Sequence, residues 1–144
     1  MTTIVYRDGT LAADTRAMIG DNILGSVVKI ARNSNGDLAG AAGLASYNYA
    51  FLKWFTGMEN GPPPTASKDD NNFDRGVIFR KNGRIEVFEP TGLFIMTAPY
   101  YAFGSGKPEA VGAMFMGATA EQAVEAAIAH DRDTGGEITV LRHE

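Results

Sequence analysis

The stretch Thr2-Thr3-Ile4-Val5-Tyr6-Arg7-Asp8-Gly9-Thr10-Leu11-Ala12-Ala13-Asp14 sets an Asp-Gly pair between two short apolar segments and closes on an acid. Asp-Gly favours the positive φ angles of a tight type I′ turn, so the stretch reads as a β-hairpin, Thr2–Tyr6 against Thr10–Ala13. The signature recurs twice: Asn35-Gly36 separates Val27–Arg32 from Asp37–Ala42, and Asn82-Gly83 separates Gly76–Arg80 from Arg84–Phe88. Leu93–Met96, Tyr100–Phe103 and Glu137–Leu141 add three more strands, and a mostly antiparallel arrangement follows.

Three other segments follow the 3.6-residue period of a helix. From Ala45 to Gly57 the apolar face runs through Tyr47, Phe51, Leu52 and Phe55, widened by Trp54 and Met58. Pro108 suits the first turn of a second helix reaching Gly117, with Val111, Met114 and Phe115 inward. Thr119 with Gln122 forms a capping box and Gly135-Gly136 supplies a stop, so the third helix is expected over Ala120–Arg132. Gly57–Asn72 collects Pro, Gly and polar residues and is expected as an exposed, mobile loop. The order strands, helix, strands, two helices, strand points to an α+β layered domain. At 144 residues the chain reads as one domain with one core.

Composition narrows the chemistry. With 44% apolar and 21% charged residues the chain reads as an ordinary globular protein. Seventeen acids against 13 bases give a net charge of −4, which leaves no basic footprint for nucleic acid or an anionic membrane. No apolar run approaches the roughly 18 residues of a spanning helix, and the start lacks the basic and apolar regions of a signal peptide, so a cytoplasmic location is expected. Zero Cys removes disulfides and thiol nucleophiles, and two His (His130, His143) argue against a His-based metal site. No metal and no cofactor are expected. Hydroxyls, carboxylates, lysines and the chain's own α-amine remain. Gly104-Ser105-Gly106-Lys107 has the outline of a phosphate loop, but Pro108 stands where that motif needs Ser or Thr and Tyr101 where it needs the first Gly.

Three polar residues break the local pattern. Lys29 sits inside Val27-Val28-Lys29-Ile30-Ala31, where a covered strand would force its ammonium to find a carboxylate or line a cleft, while an edge strand would leave it solvated. Asp131 continues the inward stripe Ala120, Ala123, Val124, Ala127, Ile128 into a last helical turn whose dipole disfavours a carboxylate. Asp14 ends a small apolar strand, where an acid commonly serves a turn.

Thr2-Thr3-Ile4-Val5, Ala13-Asp14-Thr15-Arg16, Val28-Lys29-Ile30, Ala39-Gly40-Ala41-Ala42-Gly43, Phe103-Gly104-Ser105-Gly106 and Asp131-Arg132-Asp133-Thr134-Gly135-Gly136 occur in one order. Together they resemble the motifs of proteasome β subunits and the bacterial proteasome-like peptidase HslV, members of the N-terminal nucleophile (Ntn) hydrolases. The resemblance covers the chain outside roughly Thr56–Phe73. It implies a four-layer αββα sandwich in a single domain, with one helix of the usual layer shortened or absent where Gly57–Asn72 stands.

The same resemblance implies a threonine peptidase that hydrolyses peptide bonds through an acyl-enzyme. Thr2 matches the nucleophile whose own α-amine is the base, and its small side chain suits removal of Met1. With Met1 attached the mechanism fails. Lys29 matches the active-site lysine and Asp14 its carboxylate partner. Gly43 matches the oxyanion donor. Ser105, Asp131 and Thr134 match the group that holds the α-amine and its proton shuttle. Ala17, Val27, Ala31, Ala41, Ala45 and Tyr49 would line an apolar substrate pocket that prefers hydrophobic P1 side chains. A homo-oligomeric ring, polypeptide substrates and an ATP-dependent unfoldase partner are implied as well. Two alternatives stay open: a non-catalytic structural subunit of a larger assembly, or an Ntn amidohydrolase acting on a small amide.

Overall fold

The computed structural model describes residues 2–66 and 74–144, so residues 67–72 of the expected loop Gly57–Asn72 lie outside the described residues. In chain order the elements are β1 (Thr3–Arg7), β2 (Thr10–Ala13), β3 (Arg16–Ile19), β4 (Asn22–Ser26), β5 (Ile30–Arg32), β6 (Leu38–Ala42), α1 (Ala45–Phe55), β7 (Arg75–Phe79), β8 (Ile85–Glu89), β9 (Gly92–Met96), β10 (Tyr100–Gly104), α2 (Lys107–Phe115), α3 (Ala120–His130) and β11 (Thr139–Arg142). They form a four-stranded sheet in the order β10-β1-β2-β11, a two-stranded sheet β3-β4, and a five-stranded sheet β5-β6-β7-β8-β9. Every pairing among the described residues is antiparallel.

The opening hairpin forms as its turn chemistry dictates, with both Asp8 (φ 52°) and Gly9 (φ 74°) in the left-handed region. The other two turns differ from expectation. Gly36 (φ 83°) and Gly83 (φ 90°) are left-handed, but the Asn before each is not. Arg80 N–H donates to Arg84 O at 2.9 Å and Gly83 N–H to Arg80 O at 3.0 Å; Asn33, Gly36 and Asp37 repeat the pattern. Each is therefore a three-residue loop closed by a left-handed glycine. A further hairpin, β3-β4, turns at Gly20-Asp21 where no strand is expected, and the strand before Asn35-Gly36 is shorter than the expected Val27–Arg32, since Val27, Val28 and Lys29 precede β5.

Strand alternation sorts the core. Ile4, Tyr6, Leu11, Ala13 and Phe103 of the four-stranded sheet meet Ile30, Leu38, Val77, Phe79, Ile85 and Val87 of the five-stranded one. Val5, Ala12 and Ala102 turn the other way, onto Ala110 and Met114 of α2 and Ala120, Ala123 and Val124 of α3. Ala39, Ala41, Ile78 and Phe88 pack on Tyr47, Phe51, Leu52 and Phe55 of α1. The capping box at Thr119 and Gln122 is present, whereas α3 ends at His130, two residues earlier than expected. Phe115, expected inward, is 78% exposed.

The four-layer αββα sandwich is corrected by this architecture. The described chain is dominated by antiparallel strands in three sheets, and its helices are three short segments of 11, 9 and 11 residues. The reason lies in the breakers: Gly57 and the Pro62-Pro63-Pro64 run end helical structure after α1, and Gly117 ends it after α2. No described helix is long and apolar enough to cross a membrane.

Candidate functional site

Thr2 stands immediately before β1, 2% exposed, with φ 124°. A residue with a side chain holds that conformation only when its surroundings impose it. Here they do. Its carbonyl accepts the Gly106 N–H at 3.3 Å, and Gly104 (φ 101°) lies so close that a Cβ there would collide with the Thr2 carbonyl oxygen.

Asp14 reaches this point through register. Ile4 pairs with Ala13, so the next residue of β2's chain falls opposite Thr3, and Asp14 N–H donates to Thr3 O at 3.2 Å. Its carboxylate collects three donors: Thr3 N–H (3.0 Å) and Lys29 Nζ (2.9 Å) on Oδ1, and Gly135 N–H (3.0 Å) on Oδ2. Asp14 is fully buried and Lys29 3% exposed, so the pair is an internal ion pair whose carboxylate is also hydrogen-bonded. Burial pushes the Lys29 ammonium below the usual lysine range, and Asp14 pulls it partly back. Lys29 stands immediately before β5, and its carbonyl accepts Ala41 N–H of β6 at 3.2 Å, which extends the β5-β6 pairing by one residue and fixes it here.

A second network arrives from the other side. Asp131 has left the helix as the C-cap of α3 (φ −105°, ψ 112°), and was expected inside its last turn. Its Oδ2 accepts Ser105 Oγ and Thr134 Oγ1, each at 2.6 Å, and its Oδ1 accepts Asp133 N–H at 3.3 Å. Burial raises the Asp131 carboxyl, but the three hydrogen bonds outweigh it and hold the group below its ordinary value. Since Thr134 gives its one hydroxyl proton to Asp131, the 2.7 Å contact between Thr134 Oγ1 and Thr3 Oγ1 must be donated by Thr3. Ser105 Oγ also lies 3.4 Å from Thr2 O.

The two networks therefore clasp Thr2-Thr3 from both faces, and Asp14, Lys29, Ser105, Asp131 and Thr134 are all in them. Gly43 (φ 127°) follows β6; Lys29 stands opposite Ala41, so Gly43 lies about 7 Å further along that strand, at the same end of the sheet. Among the described residues its N–H has no backbone acceptor. Of the six expected pocket residues, Ala31 and Ala41 lie on the face of the five-stranded sheet that packs on α1, the helix that also carries Ala45 and Tyr49. Ala41 is fully buried under α1 with Ala31 packed beside it, Val27 is 40% exposed, and Tyr49 is 67% exposed on α1 with the Lys53 ammonium 5.0 Å from its ring centre. Tyr49 lines a separate surface cavity of about 240 Å³ with Trp54, Lys53 and Pro62. No three His, Asp or Glu side chains among the described residues form a metal-binding group.

Two residues of the site escaped the sequence reading. Thr3 is fully buried and carries the link between the networks; the cue was a hydroxyl directly before the apolar run Ile4-Val5-Tyr6. Arg16 donates from Nη1 to Arg132 O (2.9 Å) and Thr134 O (3.4 Å) and lies where a Gly135 side chain would be, so it props the loop that carries Asp131 and Thr134. Gly106 is equally constrained, since a Cβ would strike Thr3 Oγ1 and approach Ala127 Cβ to 2.7 Å.

No family model matches the chain, and no curated protein does. Solved structures do resemble it. Thiobacillus denitrificans BPH aligns with a TM-score of 0.69 at 21% identity, over 99% of this chain and 98% of that one. Thiobacillus denitrificans BPH in complex with epoxomicin aligns with a TM-score of 0.68 at 22% identity over the same shares. At that identity the likeness is one of fold.

Proposed function

We propose that the chain is a threonine-type N-terminal nucleophile peptidase of the proteasome β-subunit and HslV kind, active once Met1 is removed. The observation that carries this reading is the pair of networks on either side of Thr2-Thr3, one ending in a buried lysine and the other in a hydroxyl-bound carboxylate. Freed of Met1, Thr2 has an α-amine with an ordinary pKa of about 7.7–8.0, close to the pH at which it must act as a base. The Thr2 hydroxyl attacks the scissile carbonyl and passes its proton to that amine. The tetrahedral oxyanion takes the Gly43 N–H. Collapse expels the leaving peptide amine, which receives the proton, and leaves an ester on Thr2. Water then adds to the ester with the amine again taking the proton, and release of the acid restores Thr2. The Lys29 cation favours the neutral amine and the developing alkoxide.

Polypeptides with hydrophobic P1 side chains are the proposed substrates, in a cytoplasmic homo-oligomer supplied by an ATP-dependent unfoldase. The neighbour of similar fold binds epoxomicin, which makes that compound a suitable probe here. The test is turnover of hydrophobic fluorogenic peptides by the Met1-processed protein. Loss of at least about 1000-fold in Thr2→Ala, with an unchanged circular-dichroism spectrum, is expected. Equal rates in the two proteins would remove Thr2 from the chemistry.

A further inference from the structure

Asp74 is a carboxylate the mechanism above leaves unused, and its position is unusual. It is 6% exposed, and no Lys or Arg among the described residues pairs with it. A nearly buried carboxylate without a cation is costly unless hydrogen bonds hold it. Its one hydrogen bond among the described residues is to the backbone: Leu44 N–H donates to Oδ1 at 2.6 Å, in the short range of charge-assisted bonds. The same Oδ1 fills the space where Gly43 would carry a side chain.

We infer that Asp74 is the positioning residue of the oxyanion site, aiming the Gly43 N–H by locking the backbone on both sides of it. On one side Ala42 is paired with Arg75, the residue after Asp74, in the β6-β7 ladder. On the other, the Asp74 carboxylate pins the Gly43–Leu44 peptide. Between them Gly43 keeps φ 127°, a conformation glycine alone adopts freely, with the carboxylate packed against its Cα. Rotation about Gly43 would either break the Leu44 bond or open the ladder. A donor fixed in advance stabilises an oxyanion without reorganising, and loss of one such donor costs roughly 10²–10³ in kcat, so misaiming it costs somewhat less. The carboxylate acts through the backbone and touches no substrate.

This inference rests on the peptidase reading, and its test separates the two. Turnover is measured per active site, counted by epoxomicin titration, in wild type, Asp74→Asn, Asp74→Ala and Asp74→Leu. Asn keeps an oxygen for the Leu44 N–H, whereas Ala and Leu do not; Leu approximates the shape of Asp and serves where Ala does not fold. The expected result is kcat lowered about 10- to 100-fold in Ala and Leu, KM within about twofold, and kcat within about threefold of wild type in Asn. A merely structural role would lower the number of titrated sites and leave kcat per site intact, which overturns the inference. Equal losses in Asn and Ala overturn it too, since the acceptor would then not matter. Wild-type protein with neither turnover nor adduct removes the peptidase reading and this inference with it.

Discussion

Asp14 holds three donors on two oxygens, and the asymmetry of that arrangement sets what each partner is worth. Removing Asp14 strands two backbone N–H groups and the buried Lys29 ammonium together, whereas removing Lys29 leaves the carboxylate with two N–H bonds. Asp14→Ala is therefore expected to cost about 3–5 kcal/mol in urea denaturation, and Lys29→Met less than about 3 kcal/mol. The reverse order would mean that the lysine, not the carboxylate, organises the site. At this scale Lys29, Asp14 and Asp131 were legible as polar residues breaking an apolar pattern. Their partners were not, because Asp14 meets Gly135 and Thr3 meets Thr134 across 121 and 131 residues, separations no local pattern encodes. The resemblance of six short motifs grouped Lys29 with Asp14, and Ser105 with Asp131 and Thr134, only as an expectation, and it left out Thr3.

Elements were legible where turn chemistry and period agreed. The three Asp-Gly and Asn-Gly hairpins, all three helices and the α3 capping box formed near their expected places, since each rests on contacts within a few residues. The β3-β4 hairpin went unread because its strands lie mostly exposed, so burial wrote no alternation into them. Helix α1 illustrates what only packing reveals: the Phe51 ring lies against Gly76 of β7, where a Cβ would fall inside van der Waals contact of the ring. Gly76→Ala is thus expected to destabilise by about 1–3 kcal/mol through overpacking, and Phe51→Leu to absorb part of that loss in the double variant. Strictly additive effects in denaturation would show that the two do not meet.

At the scale of the molecule, the expectation of a four-layer sandwich overstated how much helix 144 residues with these breakers could make; the sheets dominate instead. Those sheets leave apolar surface uncovered. The edge strand β9 exposes Leu93 (49%), Phe94 (43%) and Ile95 (54%), and the β3-β4 hairpin exposes Ile19, Ile23 and Leu24. An unpaired apolar edge is a template for another chain, which supports the proposed self-assembly. Sedimentation velocity should give a species larger than one chain, reduced toward the monomer by Phe94→Glu with Ile95→Lys; a wild-type monomer would remove the assembly from the proposal. The proposed chemistry itself turns on one group, the α-amine of Thr2. Intact-mass and peptide-mapping spectrometry of the purified protein, with and without epoxomicin, reads it directly: the account predicts a chain beginning at Thr2 that gains one inhibitor mass on Thr2. A chain that keeps Met1, or a free Thr2 that takes no adduct, would contradict it.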